Sequence, residues 1–209
     1  FMKTIFTFFL FVSFLCCFSQ QPDIKKIKID IAYLSSDELQ GRATGSPEEL
    51  KAARYIATRF AKLNLQPKGK DNDYIYPFTF TKPAKFHDTT GGTPCSGVNV
   101  AGFLDNNAES TIIIGAHFDH LGLGNDANSL DPTAKGLVHN GADDNASGTA
   151  GVLALAEYYS TNKKKEKFNF LFICFSGEEL GLIGSKKFCD QPTINLSRVN
   201  YMINMDMIG

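Results

Sequence analysis

Three segments of this chain are near-continuous apolar runs: "TIIIGAH" at 111–117, "FNFLFICFSGEE" at 168–179 and "VNYMINMDMIG" at 199–209. A strand with one wet face alternates apolar and polar residues, so runs without alternation belong to strands covered on both faces by helices. Between the first two lies "ASGTAGVLALAEYY", apolar almost all round and rich in glycine and alanine, which suits a helix packed closely in the interior. Strand, helix, strand, helix, strand predicts an α/β fold, three-layer α/β/α with a mixed, largely parallel central sheet. "YIYPFTF" at 74–80 and "VNVAGFL" at 98–104 alternate instead, as strands in an antiparallel or edge setting do.

The clearest helix is "SPEELKAARYIATRFAKLNLQP". Ser46 is placed as its N-cap, Pro47 opens the first turn and Glu49 completes a capping box. Ala53, Ile56, Phe60 and Leu63 fall on one face, which should pack on the sheet. A shorter helical turn around 31–39 precedes it, across the loop "GRATG", and "NKKKEK" at 162–167 reads as a solvated turn between a helix and a strand.

Each apolar run ends in groups that bind hard or borderline cations. His117 and Asp119 follow the first, Glu178 and Glu179 the second, and Asp206 the third, while the loop "NGADDNASGTAG" contributes Asp143 and Asp144. In open α/β sheets, ligands bind in the crevice outside the carboxyl ends of the strands. Taken singly, these residues have ordinary explanations: a histidine at a strand end is commonly a hydrogen-bonded residue, and acidic residues favour the first turn of a helix. Asp206 in an apolar strand is harder to explain, because a lone buried aspartate is costly without a partner. Several carboxylates gathered around an imidazole repel one another unless a cation sits among them or several are protonated, and metal is the better explanation. A mixed histidine and carboxylate set suits zinc, and more than three carboxylates suit two ions about 3.5–4 Å apart, bridged by one carboxylate.

The 209 residues, 43% hydrophobic and 21% charged, suffice for one sizeable core. A formal net charge of −1 leaves no electrostatic footprint for nucleic acid. Lys3, the apolar stretch from about Thr4 to Phe18 and a small-residue exit at Cys17-Phe18-Ser19 read as a signal peptide over 1–19, leaving one domain over 20–209 in a secreted or periplasmic protein. The stretch is short of the about 20 residues of a membrane span, so no stable span is expected. Bulky residues before Cys16 and Cys17 disfavour a lipid anchor. Cys95, Cys174 and Cys189 remain, too few for a disulfide framework, and Cys174 reads as a small core residue.

"GAHFDH", "NGADDNASGTAG", "SGEELGLIGS" and "NMDMIG", in this order and at these spacings, resemble the co-catalytic zinc aminopeptidases of peptidase family M28. That family also includes glutaminyl cyclases and receptor-like relatives. "YLSSDELQGRATGSPEELKAARYIATRF" is similar to the start of secreted bacterial members, so the resemblance covers nearly all of the chain after the leader. It implies a zinc exopeptidase-like fold holding two zinc ions. Asp143 would bridge them, His117 and Asp206 would complete one and Glu179 would serve the other. Glu178 would be the general base, Asp119 would orient the imidazole of His117, and the Asp143–Asp144 peptide would be cis. The implied substrates are peptides with a free N-terminus, trimmed one residue at a time. A non-catalytic receptor-like binding domain and a glutaminyl cyclase, which performs acyl transfer, are the alternatives on the same scaffold. The family pattern has a second metal-binding histidine well after the "NMDMIG" strand, and His87, His120 and His139 sit in loops that do not match it. The resemblance therefore implies a C-terminally incomplete version of a longer enzyme, with the strand near 200–207 left as a sheet edge.

Overall fold

The computed structural model describes residues 22–82, 92–125, 129–131 and 133–209. The segment read as a signal peptide, 1–19, lies outside the described residues, as does His87. The chain forms helices α1 (Ile24–Leu34) and α2 (Pro47–Lys62), then strands β1 (Gln66–Pro67), β2 (Ile75–Lys82), β3 (Thr93–Leu104) and β4 (Thr111–His117). Helix α3 (Gly148–Thr161), strand β5 (Asn169–Phe175), helix α4 (Ile183–Asp190) and strand β6 (Val199–Asn204) follow. The helical turn expected around 31–39 is two elements, α1 and a 3-10 turn at Asp37–Leu39. Asp23 caps α1, its carboxylate accepting from the Lys25 and Lys26 amides, and so starts that helix earlier.

One mixed sheet runs in the order β1-β3-β5-β4-β6, with β2 on the edge of β3 that also holds β1. β3 is antiparallel to its neighbours, whereas β4 is parallel to both β5 and β6. The parallel part is thus made by the three apolar runs, as expected for strands joined by helical crossovers.

Side chains alternate across β4 and β5. Ile112, Ile114, Phe170 and Phe172 meet Leu34 of α1, Ala53, Ile56 and Phe60 of α2, and Val152 and Leu153 of α3. Ile113, Leu171 and Ile173 point the other way, to Tyr76, Phe78 and Phe188 of α4. Helices therefore cover both faces in three layers, and burying each such side chain contributes about 1.5–3 kcal/mol. Asp30, 1% exposed, accepts from Tyr55 and Arg59, and Arg59 and Lys26 both pair with Glu157, so one polar group ties α1, α2 and α3 together.

Two details differ from expectation. Ser46 caps α2 by accepting from the Glu49 amide at 3.0 Å, but the Glu49 carboxylate reaches back to the Gly45 amide at 2.7 Å instead of to Ser46. Strand β6 is not covered on both faces: Tyr201, Met202 and Ile203 are 49%, 42% and 44% exposed. The main sheet contacts of α3 are with β4 and β5 and those of α4 with β2 and β3.

The start of α4 approaches the end of β5 closely. Gly184 donates its amide to Ser176 O at 3.0 Å, and the buried Asn99 side chain bonds both Gly184 O and the Ser176 amide. A Cβ at Gly184 would lie 2.0 Å from Ser176 O and 2.3 Å from Asn99 Oδ1. Gly184→Ala should therefore destabilise the fold by about 1–3 kcal/mol, seen as a lower urea midpoint at an unchanged slope.

Candidate metal centre

The register of the parallel strands decides which residues meet. His117 pairs with Phe175 and Gly115 with Asn204, so residues 117–120, 176–179 and 205–206 leave the sheet at the same edge. The ladder runs one bond further on each side, Phe118 N donating to Phe175 O and Met205 N to Gly115 O, both at 2.9 Å. After β4 the chain crosses to β5 on one side, and after β5 it returns past β4 to β6 on the other. That reversal of strand order opens a crevice at the carboxyl end of β4. The turn Ala142–Ser147, which leads into α3, fills its third side.

Two groups of candidate ligands form there. His117 Nε2 lies 3.2 Å from Asp144 Oδ1 and 3.3 Å from Asp206 Oδ1. His120 Nδ1 lies 2.6 Å from Glu179 Oε1 and 4.0 Å from Asp144 Oδ2. The two oxygens of Asp144 thus face different histidines. Tetrahedral zinc with bonds of about 2.0–2.1 Å separates its ligand atoms by about 3.3 Å. Both distances from His117 Nε2 meet that spacing. The His120 group is closed by a hydrogen bond and would open by under an ångström at Glu179. The donor set fits zinc in both places.

The structure corrects the sequence reading at the adjacent aspartates. Asp144 enters both groups and Asp143 neither. Asp143 is exposed, and its Oδ1 accepts from Gly209 N at 3.0 Å and from Ser147 Oγ at 3.2 Å. The turn entering α3 aims the second carboxylate at the crevice and the first toward the 205–209 segment. The cis peptide is likewise one residue further along, at Asp144–Asn145 instead of Asp143–Asp144. His120, read as a loop histidine, is drawn into the second group. Its backbone amide bonds Arg42 O at 3.3 Å, which turns the segment after β4 back over the crevice. His139 stays outside both groups, with Nε2 on Ser129 Oγ and Nδ1 on Leu137 O. The only sequence signal for His120 was its place three residues after His117 in "GAHFDH"; nothing in spacing separates Asp143 from Asp144.

Asp119 lies beside His117. It is fully buried, with its backbone oxygen 3.2 Å and its Oδ1 3.6 Å from His117 Nδ1. Its carboxylate also accepts from Thr44 Oγ1 at 2.8 Å and from the amides of Glu178 at 3.2 Å and Glu179 at 3.3 Å. Asp119 therefore holds the imidazole through its backbone oxygen and the Glu178-Glu179 turn through its carboxylate. Behind it, Glu49 accepts from Ser176 Oγ and from Val98 N, and burial lifts its carboxyl to about 7 against the pull of those bonds. Thr44 and Glu49 belong to segments that sequence patterns placed only in a loop and a helix cap.

Glu178 stands at the mouth of the crevice, Oε2 4.0 Å from His117 Nε2. Burial, then the charges of Asp119, Glu179 and Asp206, raise its carboxyl above its ordinary value despite His117. Asp144 is raised too, by burial and by Glu179, with His120 and His117 opposing. Burial pulls His117 down, but the hydrogen bond and charge of Asp119, with Glu178 and Asp206, outweigh it and lift the imidazole to about 9.

Two outcomes follow for metal binding. Asp144→Asn should weaken zinc binding by more than the about 10–100-fold typical of residues that only support ligands, and Asp143→Asn by less, in competition titrations against a chelator. Because metal must displace the His117 proton, apparent zinc affinity should rise about tenfold per pH unit up to pH 9. The same raised pKa stabilises the metal-free fold fully below the unfolded value near 6.5, and that contribution is lost as pH rises through 9.

Known proteins resemble this chain in sequence and in fold. The chain is 32% identical over 147 residues to the alkaline phosphatase isozyme conversion protein of Escherichia coli (strain K12), an alignment covering 70% of this chain and 40% of that one. It is 33% identical over 168 residues to a probable leucine aminopeptidase of Trichophyton verrucosum (strain HKI 0517), covering 78% and 38%. It therefore spans about two fifths of the length of these relatives. A glutaminyl cyclase from Bacteroides thetaiotaomicron, solved with N-acetylhistamine, shares the fold at a TM-score of 0.71 and 18% identity, over 90% of this chain and 63% of that one. The model of peptidase family M28 matches residues 99–209, from the middle of β3 through all three strand ends of the crevice, and the chain belongs to that family.

Proposed function

We propose that this protein is a two-zinc aminopeptidase, in which His117, Asp144 and Asp206 hold one ion and Asp144, Glu179 and His120 face the other. The single observation that carries the reading is Asp144, whose two oxygens are turned to two different histidines. The named relative from Trichophyton supports peptide substrates. When bound, zinc supplies a water of lowered pKa, near 7, and polarises the scissile carbonyl.

The chain's own groups account for the rest. Glu178, with its raised carboxyl at the crevice mouth, takes a proton from the attacking water and returns it to the nitrogen of the leaving amine. Asp119 keeps Glu178 in place through its backbone amide. The free α-amino group of a substrate would fit beside the group formed by Asp144, Glu179 and His120, which favours trimming at a free N-terminus over internal cleavage. An open cleft next to these two carboxylates is lined by Leu121, Leu130, Ala134 and Leu137 and offers an apolar wall for the first side chain. Lys3 and the apolar stretch after it support export to a secreted or periplasmic location. Among the described residues no helix is long and apolar enough to cross a membrane.

The test is release of the first residue from peptides with apolar N-termini, abolished by a chelator and restored by zinc. Glu178→Gln should lower kcat by about 10²–10⁴-fold while zinc content is unchanged. Full activity in that variant, or no zinc uptake by the wild-type protein, would overturn the reading. An N-terminal glutamine peptide that yields pyroglutamate instead of a freed residue would move the protein to the cyclase branch.

A further inference from the structure

Arg42 is fully buried, yet its four hydrogen bonds all go to main-chain carbonyls. Nε donates to Phe118 O at 2.7 Å, Nη1 to Asn140 O at 2.8 Å and to Leu34 O, and Nη2 to Gly141 O at 3.0 Å. Phe118 lies between His117 and Asp119; Asn140 and Gly141 lead into the turn that carries Asp144. Gly141 takes φ +57°, and a Cβ there would lie 2.3 Å from Asp144 O and 2.6 Å from the His120 ring, so this start of the turn has no slack.

We infer that Arg42 is the positioning residue of the metal centre: its guanidinium fork clamps the histidine segment after β4 to the Asp144 turn and so sets the separation of His117 and His120 from Asp144. This rests on the two-zinc reading above. A guanidinium presents donors in a planar fork that can hold several fixed carbonyls at once, whereas one ammonium on a flexible stem cannot span the same acceptors. The backbone of Arg42 joins in, its own carbonyl receiving the His120 amide, and the preceding Gly41 O receives the Gly122 amide at 3.1 Å. A buried cation is costly unless negative charge lies near. Here that charge belongs to the site itself: burial lowers the guanidinium to about 10, and Asp119, Asp144 and Glu179 limit the fall, so it is a cation at neutral pH. The residue that spaces the ligand loops also offsets the repulsion among their carboxylates.

The test compares wild-type protein, Arg42→Lys and Tyr76→Phe. Tyr76 bonds Lys187 O and Gln191 O on the opposite face of the sheet, so its variant reports loss of stability without contact with the site. Arg42→Lys should bind zinc about 10–100-fold more weakly in chelator competition and change the visible spectrum of the cobalt-substituted protein, with Tyr76→Phe unchanged in both. Wild-type zinc affinity and cobalt spectrum in Arg42→Lys would overturn the role of Arg42 alone, as would zinc affinity that falls equally in Tyr76→Phe. No zinc binding by the wild type would overturn the metal reading itself. Should Arg42→Lys not fold, nitrogen-15 NMR of the wild-type Arg42 Nε–H decides: it should exchange slowly and shift on adding zinc, and a resonance that zinc leaves unmoved would overturn the inference.

Discussion

Five carboxylates, those of Asp119, Asp144, Glu178, Glu179 and Asp206, converge on one crevice, and their mutual repulsion is the constraint that the surrounding structure answers. The answers differ by position. Asp119, the most buried, is met by three donors, two of them backbone amides that cannot rotate away. Glu178 and Asp144 keep their protons to higher pH than a free carboxyl, while His117 gains one. Arg42 supplies a fixed positive charge behind the loops. Asp119 and Arg42 also fix geometry, so at these two residues electrostatic relief and ligand placement come from the same side chain.

The parallel register makes such convergence possible. A shift of β6 by one residue against β4 would turn Asp206 to the other face of the sheet and remove it from His117. The strand ends could be read from sequence for the same reason: uninterrupted apolar runs mark buried strands, and the first polar residues after them mark the edge where ligands gather. His117, Asp119, Glu178, Glu179 and Asp206 lie there as a group. The turn before α3 carries no such period. Whether Asp143 or Asp144 faces the crevice depends on backbone angles that residue type does not encode, Asp144 itself sitting at φ −100°, ψ 97° inside a helical turn.

Residues that support the site were legible least. Arg42 lies in "GRATG", which glycine and threonine mark as a loop, and a loop arginine is ordinarily solvated. Only the tertiary contact of that loop with residues 118 and 140–141 removes it from water. Glu49 is similar: the capping-box pattern found the helix start correctly, but the carboxylate was recruited by Gly45, Val98 and Ser176 once α2 was packed on the sheet. Local pattern placed these residues and long-range contact assigned their work.

Strand β6 shows how the least covered element can still hold a ligand in place. Its outward face is exposed, and beside the packing of Met205 on the core the position of Asp206 is fixed by polar bonds from the turn before α3. Asn145, fully buried, donates to Met205 O at 3.0 Å and accepts from Met207 N at 3.3 Å, bracketing Asp206 from both sides. Ser147 Oγ accepts from Ile208 N at 3.1 Å and Asp143 Oδ1 from Gly209 N at 3.0 Å. The two adjacent aspartates thus divide their tasks: Asp144 enters the crevice, and Asp143 anchors the segment that follows Asp206. Two like charges side by side are tolerable because they point to different partners, and the turn that carries both makes the position of one ligand depend on the tether of another.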